Sequence, residues 1–183
     1  MKIRPFLSFI VALGFLSAGR VAAQPRSLFK INLLSPLTST ANVAYERVVG
    51  TRNSFQLGVF YSGVRLSGVR YRGFGFTPEY RFYLANEAAA PRGFYLAPFV
   101  RYRRFELTDQ NQPQLGGRLR TFGGGLTVGY QALFRDRFSL DAFLGPSLNS
   151  ASLRANDGYS PRLPFGLFNG FGLRAGLTLG LAL

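Results

Sequence analysis

The last eleven residues, Leu173–Leu183, read LRAGLTLGLAL, and their spacing decides the fold. Side chains alternate across a strand with period two. Leu173, Ala175, Leu177, Leu179, Leu181 and Leu183 therefore share one face, and Arg174, Gly176, Thr178, Gly180 and Ala182 the other. A strand of a water-soluble protein turns its bulky apolar face to a core and its polar face to water. Here the inner residues are too small to fill a core, and their one large member is an arginine. Hydrocarbon outside and a narrow polar lumen inside account for both faces. No tail follows, as expected of the strand that closes a barrel on itself.

The same rhythm runs back through the chain. Leu28–Leu34 sets Phe29, Ile31 and Leu33 against Lys30 and Asn32, and Asn42–Val49 sets Val43 and Tyr45 against Asn42, Ala44 and Glu46. A tight turn at Gly50–Asn53 leads into a third strand with Phe55, Leu57, Val59 and Tyr61 outward and Gln56, Gly58, Phe60 and Ser62 inward. In Tyr71–Leu84 the outward set is Phe74, Phe76, Pro78, Tyr80, Phe82 and Leu84; in Gly93–Phe105 it is Phe94, Leu96, Pro98, Val100 and Tyr102. Arg120–Leu133 and Phe138–Gly145 follow suit, and an eighth strand starts near Phe165. Eight strands place both ends of the chain on one side. The spacing predicts short turns after strands two, four and six, and longer loops at Gly63–Arg70, Thr108–Gly117 and Asn149–Pro164, the arrangement of an outer-membrane barrel. Tyr45, Tyr61, Tyr71, Tyr80, Tyr102 and Tyr130 are candidates for interfacial girdles. Pro78, Pro98 and Pro146 fall mid-strand, where a proline cannot donate to the ladder, and predict local bulges.

Ahead of the strands, Lys2 and Arg4 precede an apolar run from Pro5 to Ala18, and Val21-Ala22-Ala23 supplies small residues before Gln24. This is the pattern of a secretory signal over 1–23, cleaved after Ala23, with the barrel over 24–183. The run is shorter than the roughly 20 residues a spanning helix needs. Removing Lys2, Arg4 and Arg20 with the signal lowers the formal charge from +14 to +11, and Lys30 is then the only lysine. The arginines are scattered over strands and turns of an exported chain, which argues against nucleic acid. They suit the phosphates of outer-membrane lipid and lipopolysaccharide, which a guanidinium grips in bidentate fashion. Arg65, Arg70, Arg118, Arg120, Arg154 and Arg162 are the candidate lipid-phosphate contacts.

Phasing each strand by its apolar face places Glu46, Glu79, Asp141, Arg81, Arg101, Arg103 and Arg174 in the lumen, with Gln56, Tyr83, Tyr95 and Gln131 nearby. An eight-stranded barrel is just wide enough for side chains to fill. Buried charges require partners, so these residues read as a hydrogen-bonded plug rather than a catalytic carboxylate pair, whose acids the neighbouring arginines would hold ionised. The chain has no His and no Cys, which removes Ser–His–acid catalysis and thiolate metal sites. An all-oxygen metal site would have to form among acids outnumbered by arginines. Gly73-Phe74-Gly75 and Gly123-Gly124-Gly125 lack the Lys-Ser/Thr of a phosphate loop. No enzyme, cofactor or metal is expected.

Several pieces carry a resemblance: FKINLLSPL (Phe29–Leu37), NVAYERVV (Asn42–Val49), FTPEYRFYL (Phe76–Leu84), PRGFYLAPFVRY (Pro91–Tyr102) and the glycine-alternating end. With them the chain resembles a family of small eight-stranded outer-membrane barrels of unknown function, found mainly in Bacteroidota-type bacteria, and is similar in size to OmpX and OmpW. The resemblance implies a fold and a location, and brings no catalytic residue. The expectation is an all-β, eight-stranded antiparallel transmembrane up-and-down barrel in the bacterial outer membrane, inserted by the barrel-assembly machinery. Its expected role is structural or adhesive, with an unidentified surface partner in the second case. Passive passage of a small or hydrophobic solute, as in OmpW-like barrels, is the alternative. A secreted lipocalin-like binder is a third class, and would be soluble without detergent.

Overall fold

The computed structural model describes residues 25–66, 68–84, 90–110, 115–155 and 168–183. The signal segment and Arg162 lie outside the described residues. Eight strands follow in order: β1 (Ser27–Asn32), β2 (Thr40–Val48), β3 (Asn53–Leu66), β4 (Val69–Tyr83), β5 (Gly93–Asp109), β6 (Gly116–Phe134), β7 (Phe138–Ala155) and β8 (Gly170–Ala182). Each pairs antiparallel with the next, and β8 pairs with β1, from Leu28 against Ala182 to Asn32 against Thr178, so the barrel is closed.

The facing read from the period-two pattern holds on every strand. Phe55, Leu57, Val59 and Tyr61 of β3 are exposed while Gln56 and Ser62 are buried; Phe94, Val100, Phe122, Val128, Leu144 and Leu173 are exposed likewise. Luminal glycines leave room for rings. A Cβ on Gly129 would lie 2.4 Å from Cζ of Tyr95, and one on Gly176 would lie 2.3 Å from Cζ of Phe143.

Four expectations change. The strands run farther from the termini than the apolar alternation suggested. Residues 63–66 extend β3, and Leu66 pairs with Val69, with Gly68 in the left-handed region at φ 77°. β5 continues to Asp109, β6 starts at Gly116 and β7 continues to Ala155, which removes much of the expected loops; their remainder, 111–114 and 156–167, lies outside the described residues. The eighth strand starts at Gly170, not near Phe165.

In these extensions the polarity of the wall inverts. Val69, Tyr71, Phe105, Leu107 and Leu119 turn inward, buried with Phe168 in one cluster, while Arg70, Arg72, Glu106, Arg118 and Arg120 face out. The inversion takes Tyr71 out of any girdle, since it is 1 % exposed and stacks on Phe168 at 5.1 Å between ring centres. Tyr45, Tyr61 and Tyr130 are exposed on the outer face.

The prolines introduce no bulge. Phe76 pairs with Tyr102 and Glu79 with Phe99, so the β4–β5 register is unchanged across Pro78. Each proline keeps one neighbour and loses the other. Pro78 pairs with Leu57, Pro98 with Leu126 and Pro146 with Leu173, and the ladder skips on the opposite side. A closed barrel tolerates them by leaving a bond unmade rather than by inserting a residue.

The wall is also uneven in height. β1 and β2 are joined by a single 3-10 turn, Ser35–Thr38, low on the barrel, while β3 to β8 rise past it. Above Asn32, the backbone of β8 keeps one bond to this hairpin, from Leu33 N to Leu177 O at 2.8 Å.

Candidate functional site

Every strand sends a polar side chain inward at one level near the termini. Arg81 of β4 lies at the centre. Its Nε donates to Glu79 Oε1 at 2.7 Å and its Nη1 to Asp141 Oδ2 at 2.8 Å, with Glu46 Oε2 at 3.6 Å. The Tyr95 ring lies 4.3 Å below its guanidinium carbon. Lys30 of β1 pairs with Glu46, reaches Asp141 Oδ2 at 3.2 Å and donates to Gln131. Arg174 of β8 donates to Glu79 Oε2 at 2.5 Å.

Neutral donors complete the carboxylates. Tyr83 Oη donates to Glu46 at 2.7 Å, Ser54 donates to the same residue, and Tyr95 Oη donates to Asp141 Oδ1 at 2.8 Å. Gln131 accepts from Lys30 and Arg81 and donates to the Pro91 carbonyl at 2.7 Å. Lys30, Glu46, Arg81, Gln131 and Asp141 all have 0 % exposure. Three carboxylates (Glu46, Glu79, Asp141) thus meet three cations (Lys30, Arg81, Arg174), and the level is formally neutral. Charges in a dry interior are held only when paired and hydrogen-bonded in this way. These side chains are buried across the bore at this level.

Five of the seven residues read as luminal charges meet in this network: Glu46, Glu79, Arg81, Asp141 and Arg174. Arg101 and Arg103 of β5 point into the lumen farther from the termini and have no carboxylate partner among the described residues. Arg103 Nε donates to Thr121 Oγ1 at 2.8 Å and Nη2 to Asn149 Oδ1 at 3.1 Å. Arg101 lies over the Phe99 ring at 5.3 Å. Lys30 is the member that charge reading missed, although the alternation already put it opposite Phe29 and Ile31. Ser54 was missed as well, a small hydroxyl on the luminal face of β3.

Between the network and the apolar cluster at the far end lies a cavity of about 430 Å³. Arg101, Arg103, Gln56, Phe60, Phe143 and Arg174 line it from within, and Leu34, Leu173 and Ala175 line it from the low side of the wall. Leu173 and Ala175 belong to the outward face of β8, so the cavity opens sideways, over the β1–β2 hairpin.

Of the arginines expected at lipid phosphates, the five among the described residues lie on the outer face of strands, not in loops. Arg65 pairs with Arg70, and Arg118 stands between Glu106 and Arg154 in adjacent strands, with Arg120 between Arg104 and Ser152. Arg65, Arg70, Arg118, Arg120 and Arg154 are exposed. Arg72 joins them and donates from Nε to the Tyr61 hydroxyl at 2.6 Å.

The profile of a family described as a protein of unknown function (DUF3575) matches residues 7–154. Comparison with curated proteins and with solved structures found no match.

Proposed function

The chain belongs to the DUF3575 family of unknown function, and from that premise and the polarity of its barrel we propose that it is a small integral outer-membrane protein with a structural or surface-interaction role. The inversion of the wall carries this reading. Along β4 and the residue that follows it the outward apolar side chains run from Phe74 to Leu84, which at about 3.4 Å per residue and a tilt near 40° makes a band about 26 Å tall. The apolar band of outer-membrane barrels is about 25 Å tall. Immediately beyond it stand Arg70 and Arg72, and on β6 Arg118 and Arg120 stand beyond Phe122. In a soluble barrel Phe55, Val59, Phe76 and Leu179 would be open to water.

On this reading the segment 1–23 is a cleaved export signal, and the assembly machinery inserts the mature chain with both termini in the periplasm. The arginine collar meets the phosphates of outer-leaflet lipid and lipopolysaccharide. The far end of the barrel presents the connections to any surface partner. The proposal gives the protein no catalytic role and no cofactor.

Membrane fractionation tests it. The protein is expected in the outer-membrane fraction, to need detergent for extraction, and to migrate differently on gels before and after boiling. Recovery in the soluble periplasm or medium would refute it. Passive passage of a small or hydrophobic solute remains the second reading, favoured by the side-opening cavity. Along the barrel axis a solute would meet the neutral network of buried charges, so steady conductance in planar bilayers would be required to support axial passage.

A further inference from the structure

We propose that the cavity between the charge network and the apolar cluster is a binding site for an anionic amphiphile. Arg101 and Arg103 hold its carboxylate or phosphate headgroup, and its aliphatic tail leaves sideways over the β1–β2 hairpin.

Charge is the first argument. The network below is balanced, cation against carboxylate, whereas Arg101 and Arg103 project toward the cavity with no ion pair among the described residues. Their planar guanidinium groups present paired donors of the geometry that carboxylates and phosphates take up. Arg174, whose charge Glu79 already balances, stands at the cavity wall between the Phe99 and Phe143 rings at 4.4 and 4.7 Å. Gln56, 3 % exposed, lines the same space with its side-chain oxygen unpartnered. A buried cation without a counter-ion destabilises the empty barrel, and an arriving anion supplies what the protein omits.

The route is the second argument. Among the described residues, the charge network closes the bore on the terminal side, and Tyr71, Phe105, Leu119 and Phe168 fill it on the other. The low hairpin leaves the opening between them. Leu34, Leu173 and Ala175 border it, and Leu37 beside it is 83 % exposed. Ser35, Thr38 and Thr40 bring hydroxyls to the same rim, and an alkyl chain would lie along the Leu34, Leu173 and Ala175 side chains. The volume is within the roughly 300–1,000 Å³ of small-molecule sites. The tail's exit rests on the membrane placement proposed above; the anion site itself does not.

The test uses the mature barrel folded in non-ionic detergent, titrated calorimetrically with dodecanoate, dodecyl phosphate, dodecanol and inorganic phosphate. One molecule of dodecanoate or dodecyl phosphate is expected per barrel, with dodecanol at least about tenfold weaker and inorganic phosphate weaker still. The tighter of the two acids identifies the headgroup, and equal binding supports a general anion site.

Arg101→Gln is expected to reduce acid binding to the level of dodecanol. Gly58→Leu is expected to abolish it by filling the cavity, since a Cβ at Gly58 meets nothing closer than 3.7 Å. Arg118→Gln, on the outer wall, should change nothing. Dodecanol binding as tightly as the acids, or acid binding untouched by Arg101→Gln and Gly58→Leu, would overturn the site. Should Arg101→Gln fail to fold, Arg103→Gln and Gly58→Leu decide the question. Absence of acid binding by the parent barrel, when that barrel fractionates with the outer membrane, counts against the site alone. Binding by a protein found in the soluble fraction counts against the membrane placement alone.

Discussion

Glu79→Ala is the perturbation whose cost follows most directly from the geometry. Glu79 accepts from Arg81 Nε at 2.7 Å and from Arg174 Nη1 at 2.5 Å. Removing one member of a buried ion pair costs about 3–5 kcal/mol, because the surviving charge stays buried without compensation. Arg81 keeps Asp141 at 2.8 Å, so the loss falls mainly on Arg174. That side chain is 10 % exposed beside the cavity and gains some hydration, which sets the expectation near the lower limit, about 3 kcal/mol. For a domain of this length each kcal/mol shifts the melting temperature by about 2–4 °C, giving a fall of about 6–12 °C. The assay is the temperature at which the compact gel band converts to the unfolded one, with urea titration in micelles as a second measure. Glu79→Ala combined with Arg174→Met should recover at least about 1 kcal/mol of the sum of the single effects, because the stranded cation is gone. A fall of less than about 2 °C, or strict additivity in the double variant, would refute the idea that this network is held by mutual pairing.

Arg101→Gln should act in the opposite sense and raise the melting temperature of the empty barrel, by the equivalent of about 1 kcal/mol or more, since it removes a cation that no carboxylate offsets. Gly145→Ala should prevent folding, because its Cβ would lie 1.9 Å from the Leu126 carbonyl oxygen. Gly58→Ala should fold and gain a few tenths to about 1 kcal/mol by restricting the unfolded chain; both are read by gel-band conversion. Replacing Arg65, Arg70, Arg118, Arg120 and Arg154 together with Gln should leave stability in neutral detergent unchanged. It should also abolish the salt-sensitive stabilisation by added lipopolysaccharide expected of the parent.

Most of the fold was legible because one signal, period-two alternation, fixes both the strand and its face. The same signal explains what was missed. Taken as apolar-out, it fades toward Arg70 and Arg118 on the outer face, and those stretches resemble loops, whereas Arg72 and Arg120 stay inside the strands it outlines. The alternation is intact there with the opposite sense: Val69, Tyr71, Leu107 and Leu119 are the inward set. Tyr71 was assigned to a girdle for this reason, although two residues of parity separate no face and three separate it from Phe74. Lys30 belongs with the luminal charges by its position between Phe29 and Ile31, which sets its side chain on the inner face of β1. The division of the luminal arginines, with Arg81 and Arg174 paired and Arg101 and Arg103 not, was beyond the sequence. It depends on which levels of neighbouring strands lie side by side, and the pairing register sets that.

The shortness of β1 has a mechanical consequence. The junction that makes the sheet a ring is a zip from Leu28 to Asn32 against Ala182 to Thr178, whereas β5 and β6 are joined from Gly93 to Thr108. A ring under load parts at a short seam, and the equally short β1–β2 seam is held together by its hairpin. Lys30 sits in the middle of that seam and is tied to Glu46 on one flank and Asp141 on the other, so a single ammonium acts as the rivet of the hoop. Pulling the N-terminus, or substituting Lys30 with Met, bears on the one place where the cylinder can become a ribbon.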